Sequence, residues 1–240
     1  SYNNFGVDAS FPPIDLLTSV NLPSTTTFAY AGTFGNRKNL TTFTVANGAN
    51  SFWSQTINSG VVPDSIFLNC GLTEVSIDSN VTVGVSSFRG NALTSISIGE
   101  NVMLSSNAFA FNATINTLTI PGTTTFIPVG GSTGPFYGNG VSSITNLIIE
   151  EGVTEITRYS FYNQSIQSIV FPSSIVEIEE DAFRVNNISG TLTFASVITI
   201  GQRAFKNNPG ITTVNVPIGS NIDTSSNNGS FDSGVTINYV

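Results

Sequence analysis

Phenylalanine recurs at a nearly regular interval along the chain, and most occurrences are followed by the same short apolar pattern. Five or six residues after most of them comes a hexad with apolar first, fourth and sixth positions, as in Leu93 to Ile98. The alternation that ends each hexad predicts a half-buried β-strand. The ten anchors are Phe11, Phe34, Phe67, Phe88, Phe109, Phe136, Phe161, Phe183, Phe205 and Phe231.

A second apolar pair precedes many anchors, as in Ile175 and Ile178 before Phe183. Each repeat therefore has two apolar edges, and we expect the phenylalanine to fill the core between them. An asparagine follows most anchors, and its amide and its tolerance of left-handed backbone angles suit a stacked column at one corner. The predicted column consists of Asn36, Asn69, Asn91, Asn112, Asn139, Asn163, Asn187 and Asn208.

The spacing between neighbouring anchors ranges from 21 residues (Phe67 to Phe88) to 33 residues (Phe34 to Phe67). Sequence repeats of this length are typical of solenoids, in which each repeat packs only against its neighbours. We predict a β-rich, right-handed solenoid of about nine coils, with one parallel sheet and short or irregular segments opposite. Residues 1–10 form a lead-in, residues 11–240 form a single solenoid domain, and insertions fall near 46–66 and 121–135.

Three stretches resemble a known repeat family. The runs SSIVEIEEDAFRVNNI and ASVITIGQRAFKNNPGITTVNVP, together with Asn69-Cys70-Gly71 before Leu72, are similar to the BspA-like leucine-rich repeat. That motif runs roughly Pro-x-x-Val-x-x-Ile-x-x-x-Ala-Phe-x-Asn-Cys-x-x-Leu-x-x-Ile-x-Ile-Pro, and the likeness covers about residues 11–240. The resemblance implies a leucine-rich-repeat solenoid, surface exposure, and binding of host proteins or other cells.

Composition narrows the classes of function. The net charge is -8 with only seven basic residues, which leaves no patch able to neutralise a run of phosphates, so we expect no nucleic-acid partner. Because no apolar run approaches the roughly 20 residues of a membrane-spanning helix, we expect no membrane insertion. Histidine is absent and Cys70 is the single cysteine. We therefore expect no Ser-His-Asp site, metal, cofactor or internal disulfide, and we interpret Cys70 as a packed structural thiol.

The acidic stretch SSIVEIEEDAF raises the question of a catalytic site. In a solenoid, residues at equal offsets from their anchors lie one above another, so Glu155 is predicted to neighbour Glu177. The same rule predicts ion pairs between Arg158 and Glu180 and between Asp181 and Arg203. Two carboxylates about 5 Å apart are also the separation used by retaining glycosidases. A solvated charge ladder is the interpretation that we favour over a glycan-cleaving site.

Two features are candidate binding sites. The middle residue of each strand end is predicted to point outward and to form a face of hydroxyls and amides interrupted by two apolar residues, with Ser76, Ser97, Thr119, Ile148, Val170 and Thr193 as its central members. The alternative is that Ser and Thr simply suit exposed strands. Trp53, the single tryptophan, is either an interface anchor or a cover for the core of its own coil.

The leading hypothesis is therefore a non-enzymatic recognition or adhesion module outside a cell, which binds a protein or glycan. The low charge and the Ser, Thr and Asn content fit equally a structural component of a virion or fibre, in contact with neighbouring subunits. The apolar strand pattern from Val235 to Val240 has no polar cap after it. Since an uncovered strand edge invites pairing, we expect this C-terminal edge to abut further chain or a partner.

Overall fold

The structure is a computed structural model that describes residues 18–22, 32, 34–45, 60–127, 133–138 and 144–240. Trp53, Phe11, Asn139 and most of the predicted insertion at 46–66 lie outside the described residues. The described chain is built from short strands and turns, and none of it is helical. It winds as a parallel β-solenoid of about eight turns, which agrees with the predicted fold class.

Most coils contribute one longer strand and one strand of two or three residues. In chain order the strands are β1 (Ser19–Leu22), β2 (Thr42–Val45), β3 (Gly60–Val62), β4 (Glu74–Ile77), β5 (Val81–Val83), β6 (Ser95–Ile98), β7 (Met103–Leu104), β8 (Thr117–Ile120), β9 (Thr125–Phe126), β10 (Asn146–Ile149), β11 (Glu155–Ile156), β12 (Glu177–Ile178), β13 (Ser189–Thr193), β14 (Thr199–Ile200), β15 (Gly210–Val216), β16 (Asn221–Ile222) and β17 (Thr236–Tyr239).

The predicted hexads form one face of the solenoid, which we call the hexad face and which consists of β1, β2, β4, β6, β8, β10, β13, β15 and β17. Its pairs are all parallel, but the column is divided into the sheets β1-β2, β4-β6, β8-β10 and β13-β15-β17. The single sheet predicted from the sequence is thus interrupted. One interruption lies in the coil after β10. Among the described residues, this coil pairs with β10 only through an isolated bridge between Asn146 and Ser168.

The opposite side, which we call the second face, consists of the short strands. They form two four-stranded parallel sheets, β3-β5-β7-β9 and β11-β12-β14-β16. Most of these strands pair an outward residue with an inward apolar residue, and the inward residues, such as Val83, Ile156 and Ile200, are buried. The apolar pairs that precede each anchor in the sequence therefore close the core from this side.

A column of stacked phenylalanine rings fills the core between the two faces. Neighbouring ring centroids lie 5.1 to 5.5 Å apart, with interplanar angles of 4 to 16°. Offset stacking of this kind adds about 0.5 to 1.5 kcal/mol per pair beyond the burial of area. The rings are those of Phe34, Phe67, Phe88, Phe109, Phe136, Phe161, Phe183, Phe205 and Phe231, all of them buried.

The predicted asparagine column proves to be two columns. Asn91, Asn112 and Asn208, each three residues after an anchor, are buried, whereas Asn36, Asn69 and Asn163, two residues after, have positive φ angles of 53 to 62°. Asn187 belongs to neither column, because it is exposed and Asn186 takes the buried place. The offset from the phenylalanine decides which amide enters the core: the asparagine three residues after the ring is buried. The sequence pattern alone does not distinguish this position from its neighbours.

Each buried amide joins two coils. Asn186 Nδ2 donates to the carbonyl oxygens of Phe161 and Phe183, both at 2.9 Å, and its Oδ1 accepts from the N–H of Ile166 at 3.1 Å. Asn91, Asn112 and Asn208 repeat the pattern. Backbone groups that turn inward at this corner are thereby satisfied, as buried polar groups must be.

Candidate functional site

The hexad face presents the candidate residues that the sequence singles out. Ser76, Ser97 and Thr193 are exposed, and Thr119 is half-buried. Parallel register aligns Ser76 with Ser97 and Thr119 with Ile148. The outward positions therefore form vertical rows of short hydroxyl side chains, interrupted where Ile148 and Val170 stand.

Ile148 and Val170 are the apolar members of this row. Ile148 is 45% exposed and Val170 is 85% exposed. They line a groove of about 510 Å³ between β10 and residues 168–173, together with Asn146, Ser168 and Ser173. The structure thus brings the two apolar candidates together at one concavity.

The groove exists because the strand ladder stops at this coil. Asn146 pairs with Ser168 in an isolated parallel bridge, and residues 169–172 then run on without joining the ladder of β10 or that of β13. Phe171 turns into the core, where its ring lies 4.9 Å from that of Phe194 and edge-on to Phe183 at 5.6 Å. Pro172 follows it, and proline has no N–H to donate to a ladder.

One carboxylate, that of Glu151, lines the far end of the groove, and Glu150 precedes it in the chain. Glu150 and Glu151 are exposed and directly follow β10. Glu151 is held in place by Ser173, whose backbone N–H donates to Oε2 at 2.9 Å and whose hydroxyl donates to Oε1 at 2.6 Å. These hydrogen bonds lower the pKa of Glu151 below its ordinary value. The end of the groove therefore carries a fixed negative charge at neutral pH.

Charge is segregated around the coil. All seven basic residues lie within four positions of a column phenylalanine: Arg37, Lys38, Arg89, Arg158, Arg184, Arg203 and Lys206. The described hexad strands and the two residues that follow them carry no Lys or Arg, but they hold exposed Glu74, Asp78, Glu100, Glu150 and Glu151. The face with the groove is therefore acidic, and its charges have no neighbouring cation on the same strands.

The carboxylate pair proposed from the sequence lies on the second face. Glu155 of β11 and Glu177 of β12 are register partners, as predicted. Partial burial, and next the charges of Glu179 and Glu177, raise the pKa of Glu155 above its ordinary value. Glu177 itself is exposed. Within the described residues, no group of three or more Cys, Asp or Glu side chains is arranged to hold a metal ion.

Both predicted ion pairs are present, and they belong to one network. Glu180 pairs with Arg158 and with Arg203. Arg203 also binds Asp181 with two hydrogen bonds, Nε to Oδ1 at 3.1 Å and an amino group to Oδ2 at 2.7 Å. Arg184 donates to the same carboxylate at 3.2 Å. The Asp181 side chain is fully buried, so its ion pairs with the arginines offset the loss of hydration of its charge.

An aromatic ladder beside the core was missed by the sequence reasoning. The Arg89 guanidinium lies 4.5 Å from the centre of the Phe111 ring, Phe111 lies 6.2 Å from Tyr137, and Tyr137 stacks on Tyr162 at 5.1 Å. Arg184 covers the outer side of Tyr162 at 5.9 Å. Comparing the residues one and two positions after each anchor would have revealed it. Every member of the ladder is half-buried and contacts a neighbouring coil, so we assign the ladder to stability.

Cys70 is buried and takes the place of an asparagine three residues after Phe67. Its Sγ donates to the carbonyl oxygen of Phe34 at 2.9 Å. Burial raises the pKa of the thiol to about 11, against smaller opposing effects of Arg37. A thiol with these properties is unreactive at neutral pH.

A family of known proteins has a repeat that agrees with this architecture. A family model described as the BspA type leucine rich repeat region matches the chain in six copies, over residues 7–130 and 134–233. The chain belongs to the BspA-type leucine-rich repeat family. The matched residues include every described phenylalanine of the core column and the whole groove.

A solved structure with a similar chain is the crystal structure of the pneumococcal vaccine antigen PcpA. It shares 17% identity with a TM-score of 0.39, and the alignment covers 83% of this chain and 62% of that one. This chain therefore matches less than two thirds of the length of PcpA. A search of curated proteins finds no match. Among the described residues, no helix has the length and apolar character needed to cross a membrane.

Proposed function

We propose that the protein is a non-enzymatic recognition or adhesion module displayed outside a cell, and that it binds a protein partner through the hexad face. The observation that carries the proposal is the combination of the exposed groove at Ile148 and Val170 with an acidic, cation-free strand surface. Exposed apolar side chains rimmed by polar groups are typical of interaction sites. Family membership supports the same assignment, since repeat solenoids of this kind serve as binding scaffolds.

Glycan cleavage finds less support. Glu155 and Glu177 have the required neighbouring register, but Glu155 is half-buried, Glu177 is exposed, and the two lie side by side on adjacent strands rather than across a groove. The groove lies on the other face and holds a single carboxylate, that of Glu151, among its lining residues. Hydrolysis of a glycosidic bond needs two carboxyl groups on either side of the bound sugar.

The test of the proposal is a binding assay with face-specific variants. The biotinylated chain is applied to intact cells, immobilised extracellular matrix proteins and a glycan array. One variant carries Ser76→Lys, Ser97→Lys and Thr193→Lys on the hexad face. Its control carries the same charge change at exposed residues of the second face, with Thr154→Lys, Thr199→Lys and Asn221→Lys.

We expect binding to a protein target to be lost in the hexad-face variant and kept in the control. Equal binding by both variants would remove the hexad face as the interaction surface. If the chain binds only glycans, and the hexad-face variant loses that binding, the module recognises carbohydrate rather than protein. Circular dichroism checks that both variants fold.

A structural role in a virion or fibre, in contact with neighbouring subunits, is a second candidate, and the low charge and the Ser, Thr and Asn content favour it. Sedimentation at rising concentration tests it, because a persistent monomer contradicts assembly of this kind.

A further inference from the structure

The groove between β10 and residues 168–173 has a direction. It begins at the Asn146–Ser168 bridge, passes between the exposed side chains of Ile148 and Val170, and ends at Glu151 and Ser173. The apolar part therefore comes first and the negative charge second along the strand. A ligand that lies in the groove meets these two chemistries in that order.

The spacing between the apolar part of the groove and its negative charge matches the spacing of side chains on an extended peptide. Ile148 lies on β10 and Glu150 follows it two residues later, directly after the strand, and both are exposed while Ile149 between them is buried. Side chains two residues apart on an extended chain point to the same side, roughly 7 Å from each other. A partner strand alongside β10 would thus place one side chain between Ile148 and Val170 and a second, two residues away, over the carboxylates.

The charges determine what that second side chain must be. The Glu151 carboxylate is oriented by two hydrogen bonds from Ser173, which leaves further acceptor positions on its oxygens. No described Lys or Arg on the hexad strands competes for it or for Glu150. A lysine or arginine of the partner is the complementary group, since it would form charge-assisted hydrogen bonds with a carboxylate that is already in place.

Resting on the proposed function, we infer that this groove binds an extended segment of a partner protein in which an apolar residue stands two positions from a lysine or arginine. The apolar side chain packs between Ile148 and Val170, and the cation contacts Glu150 and Glu151. Val170 is the centre of the contact, because its 85% exposure leaves most of its apolar surface to be covered by the partner.

The inference is tested with a fluorescein-labelled synthetic peptide in which every second residue is threonine. The residues between the threonines are alternately valine and lysine. The matched probe carries glutamate in place of every lysine. Fluorescence anisotropy gives the Kd of each peptide for the whole chain at about 0.15 M salt, where charges beyond roughly 8 Å are screened. We expect the basic peptide to bind and the acidic peptide not to bind.

Two variants locate the contact. Val170→Ser introduces a hydroxyl of the kind that Ser97, Thr119 and Thr193 carry in this row, and the double variant Glu150→Gln with Glu151→Gln removes the charge. Each is expected to raise the Kd of the basic peptide by about tenfold or more, which corresponds to a loss of about 1.4 kcal/mol in binding free energy. The controls are Ile218→Ser, which removes an exposed apolar residue outside the groove, and Glu155→Gln with Glu177→Gln, which removes two charges from the second face. Both controls should bind as the unaltered chain does.

Several results would overturn the inference. They are failure of the basic peptide to bind, equal binding of the acidic peptide, and equal weakening by the control variants. If the peptide fails while the hexad-face lysine variant still abolishes binding to a protein target, the inference falls and the proposed function stands. If neither assay responds to changes on the hexad face, the inference and the proposed function are both contradicted. Thermal melts of every variant show whether a loss of binding reflects a loss of folding.

Discussion

The ring of Phe161 lies 5.3 Å from the ring of Phe183, with 15° between the two planes, and both side chains are fully buried. On its other side Phe161 stacks on Phe136 at 5.4 Å. One residue per coil thus joins three coils through direct ring contact. Because each coil packs mainly against its neighbours, a defect at this point weakens two interfaces together.

Replacing Phe161 with alanine should lower the free energy of unfolding by about 3 to 5 kcal/mol, because it removes a buried ring and leaves a cavity. Urea denaturation followed by circular dichroism measures the change. Val176→Ala is the matched control, since Val176 is 49% exposed in the same region. An unchanged unfolding midpoint for Phe161→Ala would contradict the role of the ring column.

Neighbouring asparagines should differ sharply in their contribution to stability. Asn186→Ala leaves the carbonyl oxygen of Phe161 and the N–H of Ile166 without their side-chain partner, and it removes one of the two hydrogen bonds to the carbonyl oxygen of Phe183. This should cost about 2 to 4 kcal/mol in the free energy of unfolding. Asn187→Ala changes an exposed side chain and should cost less than about 0.5 kcal/mol. The same denaturation experiment compares the two. Similar losses would show that the buried amide column does not stabilise the solenoid.

The arginines of the ion-pair network should also be unequal. Arg203→Ala removes two hydrogen bonds from the buried Asp181 and should cost about 3 to 5 kcal/mol. Arg158 is 42% exposed and pairs with Glu180 at the surface, so Arg158→Ala should cost less than about 1 kcal/mol. Thermal and urea unfolding give both values. A larger loss for Arg158→Ala than for Arg203→Ala would reverse this ranking.

Glu155 should make the protein less stable as its carboxyl ionises. Burial and the neighbouring glutamates raise the pKa of Glu155 in the folded state, so between the unfolded and folded pKa values the folded chain binds more protons. Stability contributed by this group is therefore lost as pH rises through that window. Glu155→Gln should raise the melting temperature at pH 7 more than at pH 4. An NMR titration should also show a lower Glu155 pKa in Glu177→Gln, where one repulsive charge is gone.

Cys70 should resist modification in the folded protein. Burial raises the pKa of its thiol to about 11, so the thiolate is scarce at neutral pH and the sulfur is shielded from solvent. Labelling with a disulfide reagent at pH 7 should be slow and should become complete in denaturant. Labelling of the native chain as rapid as that of a free thiol would contradict the buried position.

Residue offsets from the phenylalanine anchors were sufficient to predict several specific contacts. Glu155 pairs in register with Glu177, and Arg158 and Arg203 meet Glu180 and Asp181 in the adjacent coil. These predictions are confirmed because Phe161, Phe183 and Phe205 are spaced 22 residues apart, so that equal offsets superpose in these coils. The asparagine column was assigned with less precision, since Asn186 and Asn187 are both compatible with the motif and only one of them enters the core.

The sequence by itself determined the solenoid, its inward residues and its outward hydroxyl rows, because positions at equal offsets from each phenylalanine lie one above another. Tertiary structure alone decided where the hexad face opens. Ile148 and Val170 are predicted neighbours in sequence terms, yet the groove between them arises because the ladder stops after the Asn146–Ser168 bridge, where Phe171 turns into the core. Such an interruption involves residues of adjacent coils, and no single repeat carries that information.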